Sequence, residues 1–160
     1  MTILSIIKLC ATLPRKKALF QLNRVSMRDT LVFLFLLFFF SFLPNAILII
    51  IQFDPSVSQL SYSQYLLQVI VFYPFLMMFL VISGISILAL GAWLICFMLR
   101  RKLKYQQLWK MTGFASFLPL LAYVVLYFTP PLPNMASITL CAIWLYVLVY
   151  QMIIIYPTKK

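Results

Sequence analysis

The sequence is poor in the residues that most enzyme active sites use. It contains no histidine and no glutamate, and its only acidic side chains are Asp29 and Asp54. Acid–base catalysis by histidine, histidine-rich zinc sites and paired catalytic carboxylates are therefore excluded. We interpret Asp54 as a turn or helix-cap residue, and Asp29 as a partner of Arg28 or a charge at a helix N-terminus. These shortages predict a protein that is not an enzyme and holds no cofactor or metal.

Glycine and cysteine are also scarce, with three of each. The glycines form no phosphate-binding loop, and the cysteines are too far apart for a CxxC motif or a disulfide framework. We read the cysteines as small apolar residues. Gly84 and Gly91 are two helical turns apart in a stretch rich in small residues, which predicts a face for close helix packing.

Apolar residues dominate what is present. Of the 160 residues, 65% are hydrophobic and 9% are charged, and the mean hydropathy is +1.07. A soluble domain has about 25% charged residues, so this chain is expected to fold with lipid as its solvent.

Four apolar stretches predict an all-α membrane protein with four transmembrane helices. The predicted spans are residues 30–52, 74–99, 111–128 and 136–156, in one domain covering 30–156. A basic segment, 1–29, precedes this domain, and a short tail, 157–160, follows it. We place Pro74 in the first turn of the second helix, after an amphipathic interfacial stretch, because proline fits poorly in a helix interior. The expected structural kinks are Pro44, Pro74 and Pro119, in the first, second and third helices.

The positive charges have a one-sided distribution. All 13 Lys and Arg residues lie before the first span, between the second and third, or after the fourth. This positive-inside pattern predicts that both termini are cytoplasmic and that the protein lies in the cell membrane. It also explains the net charge of +11 without a nucleic-acid partner. We assign the role of topology signal, together with contact with anionic lipid headgroups, to the following basic residues: Arg15, Lys16, Lys17, Arg100, Arg101, Lys102 and Lys104.

The N-terminal segment does not resemble a cleavable signal peptide, because Lys8 lies inside its apolar stretch and basic residues follow it. Apolar residues recur on one helical face, which predicts an amphipathic helix at the membrane interface. We expect this face to contact lipid; the alternative is packing against the protein's own cytoplasmic loop. The face comprises Ile3, Ile6, Ile7, Cys10 and Leu13.

Few polar side chains lie within the predicted spans. Ser41, Asn45 and Gln151 are candidates either for a polar notch along a substrate path or, as we favour, for a satisfied kink and interhelical hydrogen bonds. The four-residue sequence SFLP occurs at residues 41–44 and again at 116–119. This repetition indicates either a parallel two-plus-two repeat or chance in a chain rich in Phe and Leu.

Two stretches carry a family resemblance. They are the N-terminal IIKLCATLPRKKALFQLNRVSMRDTLVFLFLLFFFSFLP and the central RRKLKYQQLWKMTGFASFLPLLAYVVLY. Both resemble a family of Gram-positive bacterial membrane proteins known as maltodextrin-utilisation proteins, and more distantly the Yip-type membrane proteins. The resemblance implies an association with sugar uptake.

We therefore expect an accessory or scaffold protein of membrane transport, with a membrane-protein partner or further copies of itself. The alternatives are a small oligomeric permease or channel, and an immunity protein against membrane-active peptides.

Overall fold

The computed structural model describes residues 3–51, 61–128 and 134–157, which form seven helices and no strand. In these stretches the apolar residues are not interrupted by polar segments long enough to form a loop. Long apolar stretches of this kind favour continuous helices. In chain order the helices are α1 (Ile3–Ala11), α2 (Lys16–Asn23), α3 (Met27–Ile51), α4 (Tyr62–Met98), α5 (Tyr105–Ala115), α6 (Phe117–Phe128) and α7 (Asn134–Ile154).

Four stretches in the described part are long and apolar enough to cross a membrane, which indicates a multi-pass membrane protein. They are Met27–Pro44, Tyr62–Met98, Tyr105–Leu126 and Met135–Ile154. The all-helical class and the number of candidate spans agree with the sequence-based prediction. Pro44 lies inside α3, within the first span as expected.

Helix α4 differs from its prediction because it begins at Tyr62 and carries Pro74 in its interior. The expected helix start at Pro74 is therefore wrong. The Gln64 Oε1 atom accepts a hydrogen bond from the Ser61 backbone N–H at 3.2 Å, which caps the helix at its actual start. The Tyr73 hydroxyl donates to the Phe39 carbonyl at 3.1 Å and ties the segment next to the proline to α3. With 37 residues, α4 is about 55 Å long, well beyond a hydrocarbon core of about 30 Å.

The third span is built from two helices, α5 and α6, separated at Ser116. It also begins earlier than predicted, at Tyr105 instead of residue 111. Pro119 is the third residue of α6, so it lies in a first helical turn, where its missing N–H costs little. The Ser116 hydroxyl donates to the Gly113 carbonyl at 2.7 Å and satisfies one group at the break. The N–H groups of Ser116 and Leu120 still donate to the Thr112 and Ser116 carbonyls across this break, and Pro119 lies three residues beyond it, so the kink expected there stays a prediction.

The protein core lies at one end of the helices, which we call the basic end. Helix α3 begins at the basic end, and α4 and α7 end there. The basic segments 15–17 and 100–104 also lie at this end. On α4, buried residues recur every three or four positions, as one face of a helix requires: Met77, Val81, Ile85, Ala89, Ala92 and Cys96. At the opposite end, the far end, large side chains such as Phe72 and Phe75 are exposed.

The two N-terminal helices pack against the rest of the protein. Helix α1 contacts α2 and α6, and α2 contacts α5. The side chains of Ile6, Cys10 and Leu13 are buried within the protein core. Their expected lipid-facing orientation is therefore wrong, and the alternative of packing against the protein describes them. Ile3 and Leu4 stay exposed, at 41% and 72%.

Candidate functional site at the basic end

Helix α5 occupies the centre of the basic end. It contacts α2, α3, α4 and α7, and every residue from Leu108 to Ala115 is buried. The Cβ of a larger residue at Gly113 would lie 2.8 Å from Leu34 Cδ1, so the end of the Leu34 side chain on α3 would have to shift to accommodate it. We call the segment 108–115 the α5 plug.

A buried lysine joins the plug to α2. The Lys110 Nζ atom donates to the backbone carbonyls of Asn23 and Val25, both at 2.8 Å, and the residue is only 9% exposed. Helix α2 ends at Asn23, so carbonyls there lack partners within the helix, and the helix dipole favours a cation at this position. Lys110 therefore acts as a C-terminal cap supplied by another helix.

The chain after α7 is held at the same place. The Arg101 Nη1 atom donates to the Tyr156 carbonyl, and the Lys102 N–H donates to the Pro157 carbonyl at 3.3 Å. From α2, the Asn23 side-chain amide donates to the Tyr156 hydroxyl at 3.2 Å, and the Phe20 and Tyr156 rings meet edge to face with centroids 5.5 Å apart. Three basic segments distant in sequence are thus joined by hydrogen bonds.

Two aromatic side chains attach α5 to α4. The Trp109 Nε1–H donates to the Ser86 hydroxyl oxygen at 3.1 Å, and the Tyr105 hydroxyl donates to the Ser86 carbonyl at 3.2 Å. Ser86 itself donates to the Ile82 carbonyl. The Trp109 N–H, the Tyr105 hydroxyl and the Ser86 hydroxyl each have a hydrogen-bond partner within the protein. Such a satisfied network favours a rigid structural role over catalysis.

Around the plug, most of the basic residues assigned from sequence face outward. Arg15, Lys16, Lys17, Arg100, Lys102 and Lys104 are exposed, and Arg101 is half-buried. The Arg28 Nε and Asp29 Oδ1 atoms are 3.9 Å apart, so this acidic residue lies next to an exposed cation. The outer surface of the basic end is therefore strongly cationic.

An open apolar groove of about 340 Å³ lies next to the plug, between α3, α4, α6 and α7. Ser116 and Pro119, at the break between α5 and α6, lie on its wall together with the rings of Phe38, Phe42 and Tyr123. Such a lining fits apolar groups and gives a polar solute little to bind.

The other residues predicted from sequence do not assemble into one site. Ser41 lines a groove between α1, α3 and α6. Gln151 is exposed on α7, so its expected pairing across the bundle is wrong. The backbone of Asn45 lies in α3, but its side chain is not among the parts of the protein that the structure describes. Asp54 lies entirely outside the described residues.

The two glycines of α4 have different surroundings. A Cβ at Gly91 would overlap the Tyr146 hydroxyl and lie 3.0 Å from the Tyr146 Cε1 atom, so the end of the Tyr146 side chain on α7 packs against α4 there. A Cβ at Gly84 would meet no atom within 4 Å. Of the two glycines of α4, Gly91 lies at a contact with another helix and Gly84 does not.

Sequence reasoning missed the roles of Lys110, Asn23 and Ser86. One signal was available for Lys110: it follows Trp109 directly and precedes the apolar stretch, so it is the basic residue nearest the third predicted span. Its two backbone acceptors depend on the position of α2, which no local pattern reveals.

No protein-family model, no curated protein and no solved structure matches this chain. The resemblance to the maltodextrin-utilisation family therefore stays a prediction.

Proposed function

We propose that the protein is a non-enzymatic accessory or scaffold component of the cytoplasmic membrane, associated with membrane transport. The observation that carries this proposal is the α5 plug, a fully buried helical segment that fills the basic end between four other helices. A path for a polar solute would need polar groups along a route through the bundle. Here the side chains of Lys110, Trp109 and Arg101 join separate parts of the chain, and the described residues leave three buried side-chain atoms without a hydrogen-bond partner: Asn23 Oδ1, Arg101 Nε and Thr112 Oγ1.

The hydrogen bonds at the basic end support a scaffold role. They connect α2, α4, α5 and the segment after α7, so separate parts of the chain hold one fixed shape. A rigid surface loses little conformational entropy when a partner binds, which favours affinity. The exposed cations of Arg15, Lys16 and Lys17 lie on this surface.

The proposed orientation places the basic end in the cytoplasm, against anionic headgroups. Each Lys or Arg near such a surface contributes about 1 kcal/mol of attraction. The exposed basic residues of α2 and of segment 100–104 lie at one end of the bundle and can act together. The same surface would meet cytoplasmic parts of a membrane partner.

Sugar uptake is the transport process suggested by the family resemblance. The test is to purify the full chain under mild detergent conditions from cells that express a sugar uptake system, and to measure the stoichiometry of any transporter that accompanies it. We expect a fixed ratio at physiological salt, which high salt should lower because it screens the exposed charges. As a matched control, Lys16→Gln with Lys17→Gln should weaken the association more than Gln21→Ala, an exposed uncharged position on the same helix.

Two results would overturn the proposal. Solute flux into liposomes that contain only this protein would identify it as a permease or channel. Protection of sensitive cells against a membrane-active peptide, with no transporter co-purifying, would identify it as an immunity protein.

A further inference from the structure

We infer that the outward face of α7 binds the same face of a second copy of the protein, with Gln151 of each copy hydrogen-bonded to Gln151 of the other. Gln151 lies in Met135–Ile154, one of the four stretches that are long and apolar enough to cross a membrane. Its side chain is exposed on the surface of the protein. This inference depends on the protein spanning a membrane, and it does not depend on the proposed accessory role.

Helix α7 has one face in the protein core and one outside it. The buried face comprises Leu145, Leu148, Val149, Met152 and Ile153. On the outward face, five exposed residues follow one another at alternating spacings of four and three positions: Leu140, Trp144, Val147, Gln151 and Ile154. We call these five residues the α7 seam. Their spacing is that of the a and d positions at which two helices pack together, in membranes as in soluble coiled coils.

Gln151 distinguishes the seam from an apolar surface that lipid covers. Its side-chain amide has a carbonyl acceptor and an NH₂ group with two donors. Within the described residues, no hydrogen bond joins this amide to another side chain or to the backbone. Hydrocarbon offers no hydrogen-bond partner, so an unpaired amide in a membrane span is unfavourable. Lipid can cover the other four seam residues, but it leaves Gln151 unsatisfied.

The position of Gln151 on α7 keeps its amide away from the headgroups. Side chains of a helix lean toward its N-terminus, and α7 ends at the basic end, so the amide leans toward the interior of the span. On the same face, Ile154 lies nearer to the basic end and is 42% exposed. The apolar outward face therefore continues past Gln151 before the helix ends, and a lipid headgroup does not replace a protein partner there.

A second copy supplies the partner that Gln151 needs. Copies of one membrane protein share an orientation, so a two-fold axis perpendicular to the membrane places the same residue of each copy at the same depth. An amide that both donates and accepts is complementary to itself. When the two seams pair in parallel, the two Gln151 side chains face each other, whereas a shift by one helical turn leaves both unpaired. A polar residue at an a position sets the register of paired helices in this way.

The surface beside the seam is shaped for such a contact. A groove of about 480 Å³ follows α7 on the side where Tyr146 packs against Gly91 of α4. Ala142 and Tyr150 line it, and Val147 belongs to both the groove and the seam. A ridge next to a groove lets two identical helix faces interlock around a two-fold axis.

Disulfide crosslinking in native membranes tests which face meets the second copy. In a chain whose native cysteines are replaced by Ala, copper phenanthroline should link Val147→Cys between copies several-fold more than Leu90→Cys. Leu90 is the matched control because it is similarly exposed, at 53% against 47% for Val147, on the outside of α4. It also precedes Gly91, which contacts Tyr146, so its depth is close to that of Val147.

A second experiment tests the Gln151 pair by energy transfer between copies in phospholipid vesicles, over a series of protein-to-lipid ratios. Donor and acceptor dyes are attached at Thr12→Cys, an exposed position, in the same cysteine-free chain. Gln151→Leu should raise the dissociation constant of the dimer about three- to thirtyfold, the effect of a hydrogen bond between membrane helices. Gln151→Asn, which keeps an amide, should raise it less. Gln68→Leu makes the same change at an exposed position of α4 and should leave it unchanged.

Three results would overturn the inference. Equal crosslinking of Val147→Cys and Leu90→Cys would show collisions between copies without a preferred face. Energy transfer no greater than that of randomly distributed monomers would show that no dimer forms. Equal dissociation constants for Gln151→Leu and Gln68→Leu would show that Gln151 does not join the copies. None of these outcomes depends on whether a transporter co-purifies, so the accessory role is tested separately.

Discussion

At the scale of single residues, Arg100 shows a conflict between charge and backbone geometry. Its φ of 49° lies in the left-handed region. The Arg101 N–H bonds to the Cys96 carbonyl and the Arg100 N–H to the Phe97 carbonyl, which is the Schellman motif that usually places glycine at this position. An arginine here supplies a positive charge at the basic end at the cost of an unfavourable backbone conformation.

Arg100→Gly should therefore stabilise the folded protein by about 0.5–1 kcal/mol, because relief of the left-handed conformation exceeds the added freedom of the unfolded chain. Thermal unfolding in detergent would measure the change. Lys102→Gly, an exposed position without positive φ, is the control and should give no gain. A loss of stability in Arg100→Gly would contradict this account.

The burial of the Cys10 thiol predicts how the reactivity of this thiol depends on pH. Burial raises its pKa from 9.0 to about 12, so the thiol stays protonated and unreactive across the neutral range. With Cys96 and Cys141 replaced by Ala, N-ethylmaleimide should leave the folded protein unlabelled up to about pH 10 and label it fully in SDS. Thr12→Cys, at an exposed position, should react readily.

The same thiol lowers stability at high pH. Between the unfolded pKa of about 9 and the folded pKa of about 12, the unfolded chain loses the proton first. The free energy of unfolding should therefore fall as the pH rises above about 9. Cys10→Ala should remove this part of the decline, and an unchanged pH profile would show that Cys10 does not cause it.

At the scale of helices, the two glycines of α4 form a matched pair. Gly84→Ala should be neutral or stabilise the protein by up to about 1 kcal/mol, because Ala favours a helix and the site has open space. Gly91→Ala should destabilise it by about 1–2 kcal/mol through overlap with Tyr146. Denaturant unfolding would compare the two variants.

Tyr146→Phe provides the control for this pair, because it removes the hydroxyl that a Cβ at residue 91 would overlap. The double variant should recover part of the loss seen in Gly91→Ala. If Gly84→Ala and Gly91→Ala lowered stability equally, the described contact between α4 and α7 would not explain the cost.

The attachment of α2 to the α5 plug can be tested through Lys110. Lys110→Met leaves the Asn23 and Val25 carbonyls without this donor, which should cost about 1–3 kcal/mol. Trypsin should then cut faster after Arg24, which lies between these carbonyls and is exposed. Lys104→Met, an exposed position in the same basic segment, should leave that rate unchanged; equal rates in both variants would exclude the proposed cap.

The helices also show which features the sequence could reveal. Four candidate spans follow from hydropathy, which depends only on local composition. The start of α4 does not, because a proline is tolerated at residue 74 when the preceding turns are capped at Ser61 and tied to α3 through Tyr73. The packing of α1 likewise depends on α2 and α6, so the apolar face of Ile6 and Cys10 gave no sign of whether lipid or protein would cover it.

At the scale of the whole molecule, the hydrogen bonds bring the basic segments to one end. Lys110 joins α5 to the end of α2, while Arg101 and Lys102 bond to the carbonyls of Tyr156 and Pro157. The positive-inside pattern predicts which segments share a side of the membrane, and these contacts place them within one packed unit. The sequence contains the charges, but their joint surface requires the fold.

The predicted orientation can be tested with two exposed positions at opposite ends, Ser61 before α4 and Gln21 on α2. In a chain whose native cysteines are replaced by Ala, a thiol reagent that cannot cross membranes should label Ser61→Cys in intact cells. It should label Gln21→Cys only after the cells are opened, because the basic end faces the cytoplasm under the positive-inside rule. External labelling of Gln21→Cys would show the opposite orientation, with the proposed partner surface outside the cell.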